Sequence, residues 1–279
     1  LDAPDFVADQ LAGQAQRLSA FMGSSERQSD DRFFLVLGMT GAGKSTFVAR
    51  CTGQDVTVGH GLYSCTNSMG VFDFLWRGRR IYLVDTPGFD DPNRSNIDTL
   101  GILAAYLGAS YANGVRIHGL ILLHPISGNR MSGSGLRNIE MMKAMCGFTR
   151  NDNLAIATTM WPNAPDNAEA AILENREIEL LTEEKFFGVL IAQGAALFRH
   201  NENGHRDSTD EHESARRIVD YLIDRSDIRA PDVLRLQHEM IDQGKRLGDT
   251  AAGIAVAADL QKARQAQLRQ LRELETQMD

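Results

Sequence analysis

The run Phe33–Leu37 (FFLVL) passes without a break into Gly38-Met-Thr-Gly-Ala-Gly-Lys-Ser45, and this junction limits the chain's fold more than any other stretch. Five consecutive apolar residues suit a strand buried on both faces, as in a parallel sheet covered by helices on each side. The following residues complete GxxxxGK[ST], and Thr46–Arg50 can continue as a helix. A strand, a glycine loop and a helix start are the setting in which this pattern cradles phosphate. Glycines let the backbone turn tightly and aim successive N–H groups at phosphate oxygens. The helix N-terminus adds partial positive charge. The amides of Thr40, Gly41, Ala42, Gly43, Lys44, Ser45 and Thr46 are therefore expected to wrap a polyphosphate. Lys44 reaches its outer phosphates, and the Ser45 hydroxyl ligates Mg²⁺.

A second motif narrows the chemistry. Val71–Leu75 and Ile81–Val84 flank the basic turn Trp76–Arg80 and read as an antiparallel hairpin. Its second strand ends in Asp85-Thr-Pro-Gly88, a DxxG pattern. Asp85 at a strand end can hold a metal-bound water, and the Gly88 N–H can touch a γ-phosphate. Loss of that phosphate would release the next loop, which is the logic of a nucleotide switch. In the polar stretch between the motifs, Thr66 is favoured over Thr57 to complete the Mg²⁺ shell. His60 is a weaker catalytic candidate.

The combination GMTGAGKST, SCT and DTPGFDD resembles the septin-related (paraseptin) branch of P-loop GTPases. That branch includes the AIG-type (GIMAP) GTPases, the septins and the chloroplast-import Toc receptors. With HGLYSCT, LLHPISGNRMSGS and TTMW, residues 32–225 are similar to AIG-like fungal G-domain-containing proteins. The resemblance implies GTP or GDP as ligand, Mg²⁺ as cofactor and Mg²⁺-dependent GTP hydrolysis. It also implies a homodimer formed through the nucleotide-binding face.

The chain departs from a Ras-like pattern in two places. Phe89 follows Gly88 where a glutamine would orient the attacking water, so hydrolysis by a lone chain is expected to be slow. Trp161, in Thr158-Thr-Met-Trp161, stands where a guanine-reading Asp is usual. Asp166 is a nearby substitute that the spacing does not require. The resemblance places a base-binding loop at the end of the strand Ala195–Asn201, where His200 and Asn201 can meet the base. Trp161 either covers the base or packs into the core. The resemblance also makes Arg130, in the loop after Ile117–Pro125, an arginine supplied in trans. With Phe89 apolar, a cation from elsewhere is needed at the transition state. Two rival readings are a nucleotide-dependent scaffold with negligible hydrolysis and a P-loop ATPase or kinase accepting adenine.

The expected fold is α/β: a P-loop G domain with a mostly parallel sheet, one antiparallel edge strand and helices on both faces. It divides into an N-terminal helix or arm (1–30), the G domain (31–228) and a C-terminal helical extension (229–279), with Pro231 at the second boundary. Helices are expected at Asn96–Ala112, Ser134–Met145, Asp166–Leu190 and Ser214–Ile223, with a further one near Leu260–Met278. A net charge of −8 disfavours a general nucleic-acid partner. Cys51, Cys65 and Cys146 lack metal-ligand spacing and suit a reducing compartment, so a cytoplasmic location is expected. No apolar run is long enough to span a bilayer. The chain begins at Leu1 rather than Met, which leaves room for a targeting segment or peripheral membrane anchor outside it.

Overall fold

The structure, a computed structural model, describes residues 30–53, 69–112, 114–127, 133–147, 151–163, 165–202 and 209–257. Six strands form one sheet: β1 (Arg32–Gly38), β2 (Gly70–Trp76), β3 (Arg79–Asp85), β4 (Gly119–Pro125), β5 (Leu154–Thr159) and β6 (Ala196–Arg199). Their order is β2-β3-β1-β4-β5-β6. All neighbours are parallel except the β2–β3 pair, as the alternation of strand and helix patterns requires.

The unbroken apolar run of β1 explains itself in this position. Phe34 and Val36 point to a layer with Phe47, Val48, Ile218 and Leu222, while Phe33, Leu35 and Leu37 point to the opposite layer with Leu103, Leu107 and Met145. Helices α1 (Lys44–Thr52) and α6 (Thr209–Ile228) supply the first layer. The second holds α2 (Asn96–Ala112), α3 (Gly133–Cys146), α4 (Asn167–Thr182) and the short α5 (Gly188–Ala192). Each fully buried Leu or Phe contributes roughly 1.5–3 kcal/mol relative to exposure, so a central strand with seven buried residues anchors both layers.

The β2–β3 hairpin closes through Arg77-Gly78, both at positive φ (51° and 76°), the twist that two-residue turns favour. Acidic residues one and two turns apart on α6 hold this basic turn. The Trp76 indole donates to Asp220 at 2.7 Å, Arg77 donates to Asp224 at 2.8 Å, and Arg79 and Arg32 both reach Asp227.

Helix α2 matches its expected bounds, but it is buried around most of its circumference rather than along one stripe. The reason is the chain after Pro231. Leu234, Leu236, Ala252 and Val256 are buried in the same layer, and Gln237 Nε2 donates to the Leu107 carbonyl at 3.0 Å. This segment runs as a helical turn α7 (Arg235–Gln237), a π-turn (His238–Asp242), a 3₁₀ turn (Leu247–Asp249) and a helical stretch at 251–257. Its centre is Glu239, almost fully buried. One carboxylate oxygen accepts from Arg235 (3.3 Å) and Lys245 (3.0 Å), the other from the Ala251 N–H (2.9 Å).

Other expectations needed revision. The stretch 166–190 is two helices separated by a turn, because Phe186 and Phe187 must enter the core there. Helix α6 starts at Thr209 rather than Ser214 and runs to Ile228; Asp210 and Glu211 sit favourably in its first turn. No helix among the described residues is long and apolar enough to cross a membrane. The helices expected within 1–28 and 260–278 lie outside the described residues.

Burial alone would raise the Glu239 pKa, but the Ala251 N–H, Lys245 and Arg235 outweigh it and hold the carboxyl below its ordinary value. A depressed carboxyl stabilises the fold above its unfolded pKa and loses that contribution as pH falls through the folded one. Glu239→Ala is expected to lower stability by about 2 kcal/mol at neutral pH. Urea unfolding should show the deficit shrinking below the ordinary carboxylate range.

Candidate phosphate and metal site

The loop between β1 and α1 and the loop after β3 meet at the carboxyl end of the sheet. Gly41 and Gly43 take positive φ (80° and 92°), conformations closed to most side chains, and turn the chain into α1. The Thr40 N–H donates to the Phe89 carbonyl at 2.7 Å, and Met39 and Phe89 form a parallel bridge, so β1 and β3 stay paired beyond their strand ends. Contact is so close that a Cβ on Gly88 would lie 2.6 Å from both the N and Cα of Thr40. Glycine at position 88 is thus needed for the two loops to meet.

Ser45 Oγ donates to Asp85 Oδ2 at 2.7 Å. Asp85 is 2% exposed, and its Oδ1 has no hydrogen-bond partner among the described residues; neither has the buried Thr40 Oγ1. Burial raises the Asp85 pKa against the opposing influence of the Ser45 hydroxyl, Lys44 and the Thr86 N–H. Lys44 is buried too, and its Nζ donates to the carbonyls of Met39 (2.9 Å) and Gly38 (3.3 Å). Burial lowers its pKa to about 8 although Asp85 and Asp91 favour the charged form. A buried hydroxyl and carboxylate with an orphaned oxygen, beside a lysine resting on backbone carbonyls, suit a hard divalent cation and an anionic oxygen ligand. The described residues therefore fit Mg²⁺ carried by a polyphosphate.

Phe89 has no exposed surface and lies in the core layer with Leu100 and Leu103. No polar group can reach the site from that position. Across the cleft, Thr159 Oγ1 donates to the Ala42 carbonyl at 3.0 Å and ties the end of β5 to the phosphate loop. Sequence reasoning missed this buttress; its signal was a hydroxyl residue in the TTMW segment. Met160 follows at φ 60°, half exposed, with its methyl 3.4 Å from where a Gly43 Cβ would stand.

Trp161 is half-buried against the core. Its indole donates to both the Thr158 carbonyl and hydroxyl at 3.2 Å, and Arg199 stacks 4.7 Å from its ring. Arg199 is in turn held by the buried Glu177 at 2.6 and 2.8 Å. Trp161 is thus partly packed into the core, the second of the two places expected for it. His200 does not fit the expected base contact. It is 6% exposed, edge-on to Phe47, with Nδ1 3.1 Å from Ser214 Oγ, and burial lowers its pKa to about 4. The alternation of β6 turns this ring inward, toward α1 and α6. Asn201 follows at φ 51°, where the chain leaves the sheet, and its N–H donates to Ser214 Oγ. Asp166 caps α4, its Oδ1 accepting from the N–H groups of Ala168 and Glu169. Thr57, His60, Thr66 and Arg130 lie outside the described residues.

Comparison with known proteins agrees with this geometry. Residues 33–139 match the family model described as 50S ribosome-binding GTPase. GTP-binding protein A of Dictyostelium discoideum is 25% identical over 169 residues, which are 57% of this chain. The chain spans 37% of the length of that curated relative. Among solved structures, Toc33 of Arabidopsis thaliana with GDP and Mg²⁺ superposes with a TM-score of 0.56 at 15% identity, covering 82% of this chain and 95% of that one. A structure of the chloroplast translocon components atToc33 and psToc159, reported with dimerization as important for their GTPase activity, gives 0.58 at 14% identity, covering 81% and 93%. The fold is that of a P-loop G domain: a six-stranded, mostly parallel sheet with one antiparallel edge and its phosphate loop at the strand ends.

Gly88→Ala should force the two loops apart and break the Thr40–Phe89 hydrogen bond. A loss of about 1–3 kcal/mol is expected in chemical denaturation. Gly114→Ala, where an added Cβ meets nothing within 4 Å, makes a useful contrast because its cost arises from backbone conformation alone.

Proposed function

We propose that this chain binds GTP and GDP with Mg²⁺ and acts as a switch that hydrolyses GTP, slowly alone and faster as a face-to-face dimer. The observation that carries the reading is the buried Ser45–Asp85 pair with its orphaned Asp85 oxygen, set beside Lys44. In the binding step Lys44 Nζ leaves the carbonyls of Gly38 and Met39 for the β- and γ-phosphate oxygens. The other amides between Gly41 and Thr46 supply the remaining donors; contrary to the expectation from sequence, the Thr40 N–H is held by the Phe89 carbonyl and the Ala42 N–H by the Met39 carbonyl. Ser45 and Asp85 would hold Mg²⁺, Asp85 through a water, with Thr66 as the proposed additional ligand. When bound, the cation offsets charge on the phosphates. The Gly88 N–H meets the terminal phosphate, so the loop that follows it senses hydrolysis.

Two features support the dimer. Phe89 is locked in the core and offers no catalytic group. The solved structures of similar fold include GTPases whose activity is described as depending on dimerization. Arg130, supplied by the facing copy, is the proposed cation. Single-turnover hydrolysis per site should rise with protein concentration and fall by about 10³-fold or more in Arg130→Ala. A flat, negligible rate would instead support a nucleotide-binding scaffold.

Three observations keep adenine as a second reading. Asp166 caps a helix, Glu177 is held by Arg199, and Trp161 replaces the usual carboxylate. Titration of the purified chain with GTP, ATP and XTP decides the base. Tighter GTP is expected, and tighter ATP would overturn the guanine assignment. The pH dependence tests Lys44 itself. Its pKa in the ligand-free site is about 8, and phosphate contact must raise it, so binding takes up a proton above that pH. Triphosphate affinity should therefore fall between pH 7 and 9, with a limiting slope of about tenfold per pH unit.

A further inference from the structure

With Phe89 buried, the water that attacks the terminal phosphate needs another group to orient it, and the described residues contain one hydroxyl suited to the task. The hydroxyl side chains at the meeting of the phosphate loop, the DTPG loop and β5 include Ser45, Thr86, Thr159 and Thr40. Ser45 donates to Asp85 at 2.7 Å, Thr86 to the Val36 carbonyl at 2.7 Å and Thr159 to the Ala42 carbonyl at 3.0 Å. The fourth, Thr40, has its Oγ1 buried with no hydrogen-bond partner. Buried hydroxyls are seldom left so, and an orphan of this kind at a site calls for a ligand.

Its placement is fixed from both sides. The Thr40 N–H is held by the Phe89 carbonyl at 2.7 Å, and the hydroxyl lies against the Cα face of Gly88. Phe89, which sends its own side chain into the core, is thus hydrogen-bonded through its backbone to the residue whose hydroxyl lies beside Gly88. Asp85 Oδ1, the other orphaned oxygen of the site, lies at the start of the same DTPG loop.

We propose that the Thr40 hydroxyl accepts a hydrogen bond from the attacking water and orients it toward the γ-phosphorus. It thereby takes the part played in Ras-type GTPases by a glutamine at the position of Phe89. This rests on the GTP-hydrolysis reading above. The water oxygen bonds to the γ-phosphorus as the bond to the β–γ bridging oxygen breaks, and that electron pair stays with GDP. One water proton remains on the released phosphate and the other passes to solvent. Thr40 is not consumed and changes no charge.

The test compares the full chain with Thr40→Val, which keeps the shape and loses the hydroxyl, Thr40→Ala, and Thr40→Ser, which keeps the hydroxyl. Thermal melts establish folding, and equilibrium titrations with GTP and with GDP plus aluminium fluoride accompany single-turnover hydrolysis. The expected result is a GTP affinity that changes far less than the hydrolysis rate in all three. The rate should drop by about 10²-fold in Thr40→Val and Thr40→Ala, with a matching loss of the extra affinity for the aluminium fluoride complex. Thr40→Ser should restore both. Hydrolysis by Thr40→Val at the parent rate would overturn the assignment. So would a defect confined to GTP affinity or folding, which marks Thr40 as a spacer, or a Thr40→Ser protein as slow as Thr40→Val. A parent chain that neither binds nor hydrolyses GTP would overturn the underlying function as well, and the parent measurement alone reveals that case.

Discussion

The direct pairing of the phosphate loop with the DTPG loop is the constraint on which the site depends. Strands β1 and β3 are parallel neighbours, and their pairing runs past the strand ends through Thr40 N–H to Phe89 O. That continuation brings Ser45 to Asp85 and leaves Lys44 beside the pair, held by backbone carbonyls. Two buried charges of opposite sign in one cleft are costly when each is only partly satisfied. Here the lysine pKa is pulled down and the aspartate pKa pushed up by the same burial. A site of this kind stores unfavourable desolvation that an anionic ligand with its cation can relieve. It also explains why so much of the core surrounds it, since rigid strands on both sides keep the loops from relaxing apart.

The parts of the molecule that could be read from sequence are those where local chemistry leaves little choice. GMTGAGKS after FFLVL can be satisfied only by a strand, a glycine turn and a helix start, and the structure has all three in register. The same holds for the hairpin ending in Asp85 and for α2, whose bounds the apolar periodicity marks. Where tertiary contacts decide, the sequence was ambiguous. The break between α4 and α5 exists because Phe186 and Phe187 turn into the core, and the helix-forming residues on both sides conceal it. The π-turn around Glu239 is stabilised by Arg235, Lys245 and the Ala251 N–H, contacts that only the folded arrangement supplies.

Within the site the division is similar. Strand alternation at β6 sends Arg199 to Glu177 and His200 inward against Phe47, which takes His200 away from the base contact expected of it. Thr159 and Met160 gain their positions from contact with the phosphate loop, which no spacing rule announces. The C-terminal segment covers α2, the helix that follows the DTPG loop, and Gln237 and Asp242 hold it there through Leu107 and Tyr111. A helix buried on most sides can move only as a unit with what covers it.

The most direct test of the central claim is equilibrium binding of a triphosphate with Mg²⁺ to the parent chain and to Lys44→Ala. The account predicts saturable binding by the parent and a loss of at least two orders of magnitude in the variant, as expected for removing a buried charge-assisted contact. Equal affinity in the two proteins would contradict it, because the one buried lysine of the cleft would then have no part in holding the ligand.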